Sequence, residues 1–422
     1  MSASIAVIGL IGAVVWSSYA VSTQHRLRES ILEGHLPDAA SLSTGTSFSA
    51  VNSPSVGIEA GLQLATAMRP PRHQSSPSPK SSPSPAPSAS PNPSPSPTNV
   101  PSPPADSNNS FVTVCGISFC LNGSPWMMFG ASHPTWESDV ATTMALANGS
   151  KLNALRIMNF LEEGANDPTL STAPYNSARW GIVDQYLASA AAAGDHTLLD
   201  FATFRNLAWN NCLGPSYDWG SFLSWVGNRV NTVNGRVYNQ DPSLAIVALA
   251  AEENPPGSYA LTANNGEPCT IAYSTSELTA FFARTLSEAR QAFPRQISET
   301  GGFLHLDYDS GVNWQSIMGD PNDQVCSLHV YSSGDATISV PNIASYCKSL
   351  GKPWIDEEFG FPQSNGDAAR SVQFQNQYSL SAQYGAAGTL FWNLGPQDAG
   401  DTYDVNPNTP GTWSTVLANT PS

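Results

Sequence analysis

Two apolar runs in this chain close on adjacent acids. "IVALAAEEN" carries Glu252 and Glu253, and "KPWIDEEFG" carries Asp356, Glu357 and Glu358. Carboxylates are costly in apolar surroundings unless they are paired or used. Two strand ends that each offer a carboxylate make the constellation that glycoside hydrolysis needs. One carboxylate attacks the anomeric carbon and must be ionised, while the other protonates the leaving oxygen and needs a raised pKa. The bland alternative is that these acids only cap strands or pair with arginines.

Other chemistries leave no trace. The seven histidines show neither HxH nor HExxH spacing, so no metal site is expected, and no G-x-S-x-G elbow marks a serine hydrolase. No cofactor is implied. Only 12% of the 422 residues are charged, with a net charge of -16. That balance argues against nucleic acid, which asks for clustered Lys and Arg, and suits a neutral polymer or small neutral ligands.

The acids need elements to position them. From Phe111 onward, short apolar runs alternate with amphipathic stretches. The runs are "WMMFGAS", "NALRIMNF", "HTLLDFATF", "LAIVALAAEE", "RQISETGGF", "QVCSLHVYS", "PWIDEEFGF" and "GTLFWNL". Between them lie helix-like segments such as "GIVDQYLASAAAAG", "FLSWVGNRVNTVNGRVY", "SELTAFFARTLSEARQAF" and "DAARSVQFQNQYSLSAQYG". Eight such units predict an α/β fold, a (β/α)8 TIM barrel, whose catalytic groups sit where strands end and βα loops begin. A doubly wound open sheet is the alternative, but no Gly-rich phosphate loop follows the first strand.

These residues resemble the clan A glycoside hydrolases, and most closely family five in its endo-β-mannanase branch. "FVTVCGISFCLNGSPWMMFGAS" resembles the opening hairpin and first strand of those enzymes, and "NALRIMNF" their second strand, with Arg156 as its arginine. "NRVNTVNGRVYNQDPSLAIVALAAEENPP" resembles the stretch that ends in their acid/base motif, and "SETGGF" their fifth strand. "SLHVYS" matches a His-x-Tyr strand and gives His329 and Tyr331, "KPWIDEEFG" matches the nucleophile strand and gives Glu358, and "LFWNLG" gives Trp392. The resemblance implies Glu358 as nucleophile, oriented by Arg156 and Tyr331, and Trp392 as a platform for a sugar face.

For the acid/base, gapless matching from Asp241-Pro242 selects Glu252, and a one-residue insertion would select Glu253 instead. Glu252 is preferred because it requires no bulge in a barrel strand, which leaves Glu253 to pair with a neighbour or touch the sugar. Neighbours on an extended strand point to opposite sides, so only one of the two is expected to face the cleft. Three positions depart from the family pattern: Ala251 stands where Asn is usual, Met158 replaces an aromatic, and proline does not directly follow the glutamate. His133 and Trp136, after the first strand, are weaker candidates for the cleft wall. The implied activity is retaining cleavage of a β-1,4-linked polysaccharide, β-mannan first and β-glucan second. A non-catalytic carbohydrate-binding protein on the same barrel is the rival.

Residues 1–22 include "IAVIGLIGAVVWSSYAV", an uncharged run that reads as a signal peptide or a membrane anchor, which would tether the protein. Residues 23–109 read as a disordered Ser/Pro-rich linker, and 110–422 as the catalytic domain, roughly 310 residues and sufficient for one large core. The six cysteines fit three disulfides in an exported chain, with sequence-near pairing favoured: Cys115–Cys120, Cys212–Cys269 and Cys326–Cys347. A secreted or extracellular monomer follows as the expectation.

Overall fold

The computed structural model describes residues 110–134, 139–158, 179–263, 266–308, 310–397 and 402–420. The apolar N-terminal run, the Ser/Pro-rich stretch and Trp136 lie outside them.

Thr113–Cys115 (β1), Ser118–Leu121 (β2) and Ser124–Trp126 (β3) form a small antiparallel sheet. The chain then alternates. Met128–Pro134 (β4) leads to Val140–Gly149 (α1), and Ala154–Met158 (β5) precedes Trp180–Ala193 (α2). His196–Asp200 (β6) leads to Ala202–Asn210 (α3) and Gly220–Gly227 (α4). Leu244–Ala248 (β7) is followed by a hairpin, Gly257–Thr262 (β8) and Pro268–Tyr273 (β9), and then by Thr275–Ala292 (α5). Ile297–Glu299 (β10) leads to Trp314–Met318 (α6), and Cys326–Val330 (β11) to Val340–Leu350 (α7). Trp354–Phe359 (β12), Asp367–Gln383 (α8), Gly388–Phe391 (β13) and Pro410–Asn419 (α9) complete the chain.

All eight apolar runs become strands of one parallel sheet, in the order β10-β7-β6-β5-β4-β13-β12-β11. The last strand, β13, pairs in parallel with the first, β4, which an open doubly wound sheet does not do. At the remaining seam the Gln324 N–H donates to the Ser298 carbonyl at 3.0 Å, and the His329 N–H to Phe303 O at 2.9 Å. The fold is a (β/α)8 barrel. Its strands are buried from end to end, as a parallel sheet covered on both faces requires. One apolar cluster, including Phe204, Phe222, Phe282 and Trp219, joins strands to helices. A second, with Met128, Leu198, Ile246, Ile355 and Leu390, packs against Phe119 of the small sheet.

Local chemistry accounts for the elements. Helix α5 opens on a capping box: the Ser274 hydroxyl accepts from Glu277 N, and the Glu277 carboxylate accepts from Ser274 N at 2.7 Å. All three expected disulfides are present, and no cysteine is free. Two expectations need correction. The helix expected through "FLSWVGNRVNTVNGRVY" stops at Gly227, because the Asn231 carboxamide captures the Val233 and Asn234 N–H groups at 2.8 and 3.2 Å in an Asx turn. The strand within "IVALAAEEN" ends at Ala248, four residues before the first glutamate.

Candidate active site

Strand β5 supplies Arg156, which is fully buried and touches carboxylates from two other strands. Its Nε and Nη2 donate to Asp200 Oδ2 at 3.0 and 2.5 Å, and Nη1 donates to Ser132 Oγ at 3.1 Å and also to Glu358 Oε2. Nε also lies 3.2 Å from Glu357 Oε1. Burial alone would lower the pKa of the guanidinium, but Asp200, Glu357 and Glu358 hold it well above its ordinary value.

Tyr331 follows β11 and donates its hydroxyl to Glu358 Oε1 at 2.8 Å. Both oxygens of Glu358 are thus held by donors, which orients the side chain. Burial, together with the neighbouring Glu358, pushes the Tyr331 phenol well above its usual range, so it remains a proton donor.

Glu252 reaches the same place from a turn beyond β7. Its φ of 53° is left-handed, and its N–H donates to Gly302 O at 3.0 Å. A non-glycine residue held in that region is uncommon, and such residues cluster at functional sites. The turn breaks strand alternation. It sends the Glu252 side chain to His329, whose Nδ1 lies 2.9 Å from Glu252 Oε1, and leaves Glu252 30% exposed.

Carboxylate oxygens of Glu252 and Glu358 and a ring nitrogen of His329 lie within 4.8 Å of one another. Burial would lower the His329 pKa, yet Glu358, Glu252 and Glu357 together raise it to about 10, so the ring pairs as a cation with the carboxylates around it.

Strand β12 shows why one run of three acids serves three purposes. Asp356 points away from the barrel and accepts from Gln377 Nε2 at 2.6 Å and Ser381 Oγ at 2.8 Å, both on α8. The register then slips: Leu328 opposes Asp356, but His329 opposes Glu358. This is a β-bulge, and it lets Glu357 and Glu358 both contact Arg156. The bulge disfavoured for the Glu252 strand is therefore present, but on the strand that carries Glu358.

The other candidates divide. Trp392, half-buried, packs beside Met158, Ala202 and Ala251 at the rim. Glu253 is 4% exposed and turned away, accepting from Trp209 Nε1 at 2.8 Å and Asn254 N at 3.0 Å, so it pairs with neighbours. Burial raises its pKa. His133 does not line the cleft: Nδ1 meets Leu394 O at 3.0 Å, Nε2 meets Thr143 Oγ1 at 3.1 Å, and burial lowers its pKa to about 4. Asp200 and Glu357 were not anticipated. Asp200 carried a readable signal, since "HTLLD" is another apolar strand closing on an acid. A cavity of about 790 Å³ lies elsewhere, on α4 around Trp225 and Arg229.

No protein-family model matches the chain. Mannan endo-1,4-beta-mannosidase 5 of Solanum lycopersicum is 23% identical over 381 residues, covering 72% of this chain and 89% of that protein. Mannan endo-1,4-beta-mannosidase 7 of Arabidopsis thaliana is 25% identical over 339 residues, covering 68% and 78%. Among solved structures, the endo-1,4-beta-mannanase of Rhizomucor miehei superposes with a TM-score of 0.59 at 19% identity, covering 74% of this chain and 98% of that one. The glycoside hydrolase family 5 mannosidase of the same organism gives 0.55 at 15% identity, covering 74% and 97%. In sequence and in fold, the chain resembles the endo-β-1,4-mannanases of glycoside hydrolase family five, as its strand-end motifs implied.

Proposed function

We propose that the protein is a retaining β-glycoside hydrolase that cleaves a β-1,4-linked polysaccharide, β-mannan first. The observation that carries this is the approach of Glu252 and Glu358 to within 4.8 Å, with Glu358 gripped by Arg156 and Tyr331. Retaining enzymes hold their carboxyl groups about 5–5.5 Å apart, whereas inverting ones leave room for a water between them. Glu358 attacks the anomeric carbon. Glu252, the more exposed of the two, delivers a proton to the leaving oxygen and then takes one from water. His329 donates to Glu252 Oε1 and orients the carboxyl group. Trp392 offers an apolar face to a pyranose ring. The names of the relatives support mannan as the substrate.

The active unit is the barrel from residue 110, carried outside the cell behind a Ser/Pro-rich linker, in keeping with its three disulfides. Reducing-sugar release from mannan, glucan and xylan tests the reading. Release from mannan above the others is expected. Release from glucan alone would shift the substrate, and binding without release from any would favour the carbohydrate-binding rival.

A further inference from the structure

Glu357 is an ionisable residue that the two-glutamate mechanism leaves idle, although it is fully buried directly under the cleft. Its two oxygens face two different cations. Oε1 lies 3.2 Å from Arg156 Nε, and Oε2 lies 3.6 Å from His329 Nε2, an ion-pair separation too long for a hydrogen bond. Each cation grips one of the proposed catalytic pair on its far side: Arg156 Nη1 holds Glu358 Oε2, and His329 Nδ1 lies 2.9 Å from Glu252 Oε1. We propose that Glu357 is a positioning residue that ties these two cations together from below, so that one carboxylate sets the places of both nucleophile and acid/base. The proposal rests on the reading of Glu252 and Glu358 as the catalytic pair.

Two features of the chain serve this contact. Without the bulge in β12, Glu357 would point away from the face that Glu358 takes. A Cβ on Gly302, at φ 73°, would lie 2.4 Å from His329 Nε2 and 2.6 Å from Glu357 Oε2, so only glycine leaves room where His329 and Glu357 meet. The charged and titratable groups around the bridge include Arg156 on β5, Asp200 on β6, Glu299 on β10, Asp323 just before β11, His329 on β11, and Glu252, Tyr331 and Glu358 above. Burial opposes the charge of Glu357, but Arg156 and His329 hold its pKa below the usual carboxylate value. Burial and the charge of Glu357 push the pKa of Glu299 well up.

The test compares Glu357→Gln with Asp356→Asn, its outward-facing neighbour. Turnover of soluble mannan is measured per active site, with sites counted by a slow 2-fluoro-mannosyl inactivator, and the His329 ring is titrated by NMR. Glu357→Gln is expected to lower kcat on the order of 10- to 100-fold with KM within about twofold, because a misplaced reacting group costs turnover while substrate contacts persist. The His329 titration should move to lower pH. Asp356→Asn should leave both unchanged. Unaltered turnover per site in Glu357→Gln, or an unmoved His329 titration, overturns the bridge. If Glu357→Gln does not fold, Glu357→Asp keeps the charge on a shorter arm, and an unchanged kcat there overturns it equally. Wild-type protein inactive on every polysaccharide would instead overturn the catalytic reading, and the His329 titration in wild type and variant would still decide the bridge.

Discussion

Replacing Glu252 and Glu253 one at a time separates chemistry from support at two adjacent positions. Glu252 is 30% exposed and has His329 beside it, so Glu252→Gln should change folding stability by no more than about 1 kcal/mol. Its catalytic cost is that of a general acid, about 10²- to 10⁴-fold in kcat, or about 3–5 kcal/mol of barrier. Glu253 has the opposite profile. It is buried and accepts from Trp209 and Asn254, so Glu253→Gln should cost about 1–2 kcal/mol of stability and less than about tenfold in turnover. The assay pairs mannan, a poor leaving group, with a dinitrophenyl mannoside, whose departure needs no proton. Glu252→Gln should lose the first activity and still form the glycosyl-enzyme from the second with a visible burst. If that leaving-group dependence appeared in Glu253→Gln and not in Glu252→Gln, the positive-φ turn would not be aiming the acid, and the assignment would be wrong.

Further outcomes follow from the same geometry. Glu358→Ala should fold and lose nearly all turnover, and added azide should restore cleavage of an activated aryl mannoside with inversion; near-normal activity without azide would remove Glu358 as nucleophile. Burial raises the Asp356 pKa from 3.8 to about 7 despite Gln377 and Ser381. A raised folded pKa gives stability that is full below 3.8 and lost as pH rises through about 7, up to about 4 kcal/mol for the whole shift, and Asp356→Asn should flatten that slope in denaturant melts taken from pH 4 to 8. Cys326→Ser opens a bridge spanning 21 residues and should cost about 3 kcal/mol, read as a lower denaturation midpoint; an unchanged midpoint would mean the bridge does not form in solution. A chain beginning at residue 109 should match the full-length protein in melting temperature and in activity on soluble mannan, since Ser/Pro-rich sequence supplies no core; a marked loss in either would contradict the linker reading.

The alternation of apolar runs with amphipathic stretches determined the barrel. A strand buried on both faces must be apolar along its length, and eight such runs leave few other ways to close a sheet. Sequence order likewise brought Arg156, His329, Tyr331 and Glu358 to one mouth, because strand ends in a barrel converge whatever the loops between them do. The cysteine pairs were legible for a similar reason: sequence neighbours such as Cys326 and Cys347 lie on one βα unit. What remained hidden was which way a side chain points once regular geometry stops. The left-handed turn at Glu252 and the bulge before Glu358 each cancel the two-residue alternation on which sequence reading depends. Both are set by contacts from distant strands. Gly301, at φ 98°, has the backbone of Ala251 at 2.6 Å from where its Cβ would be, and Gly302 gives way to His329 and Glu357. Only the closed sheet brings those partners together, so only tertiary structure decided that Glu252 faces the cleft, Glu253 the protein, and Glu357 the cations beneath.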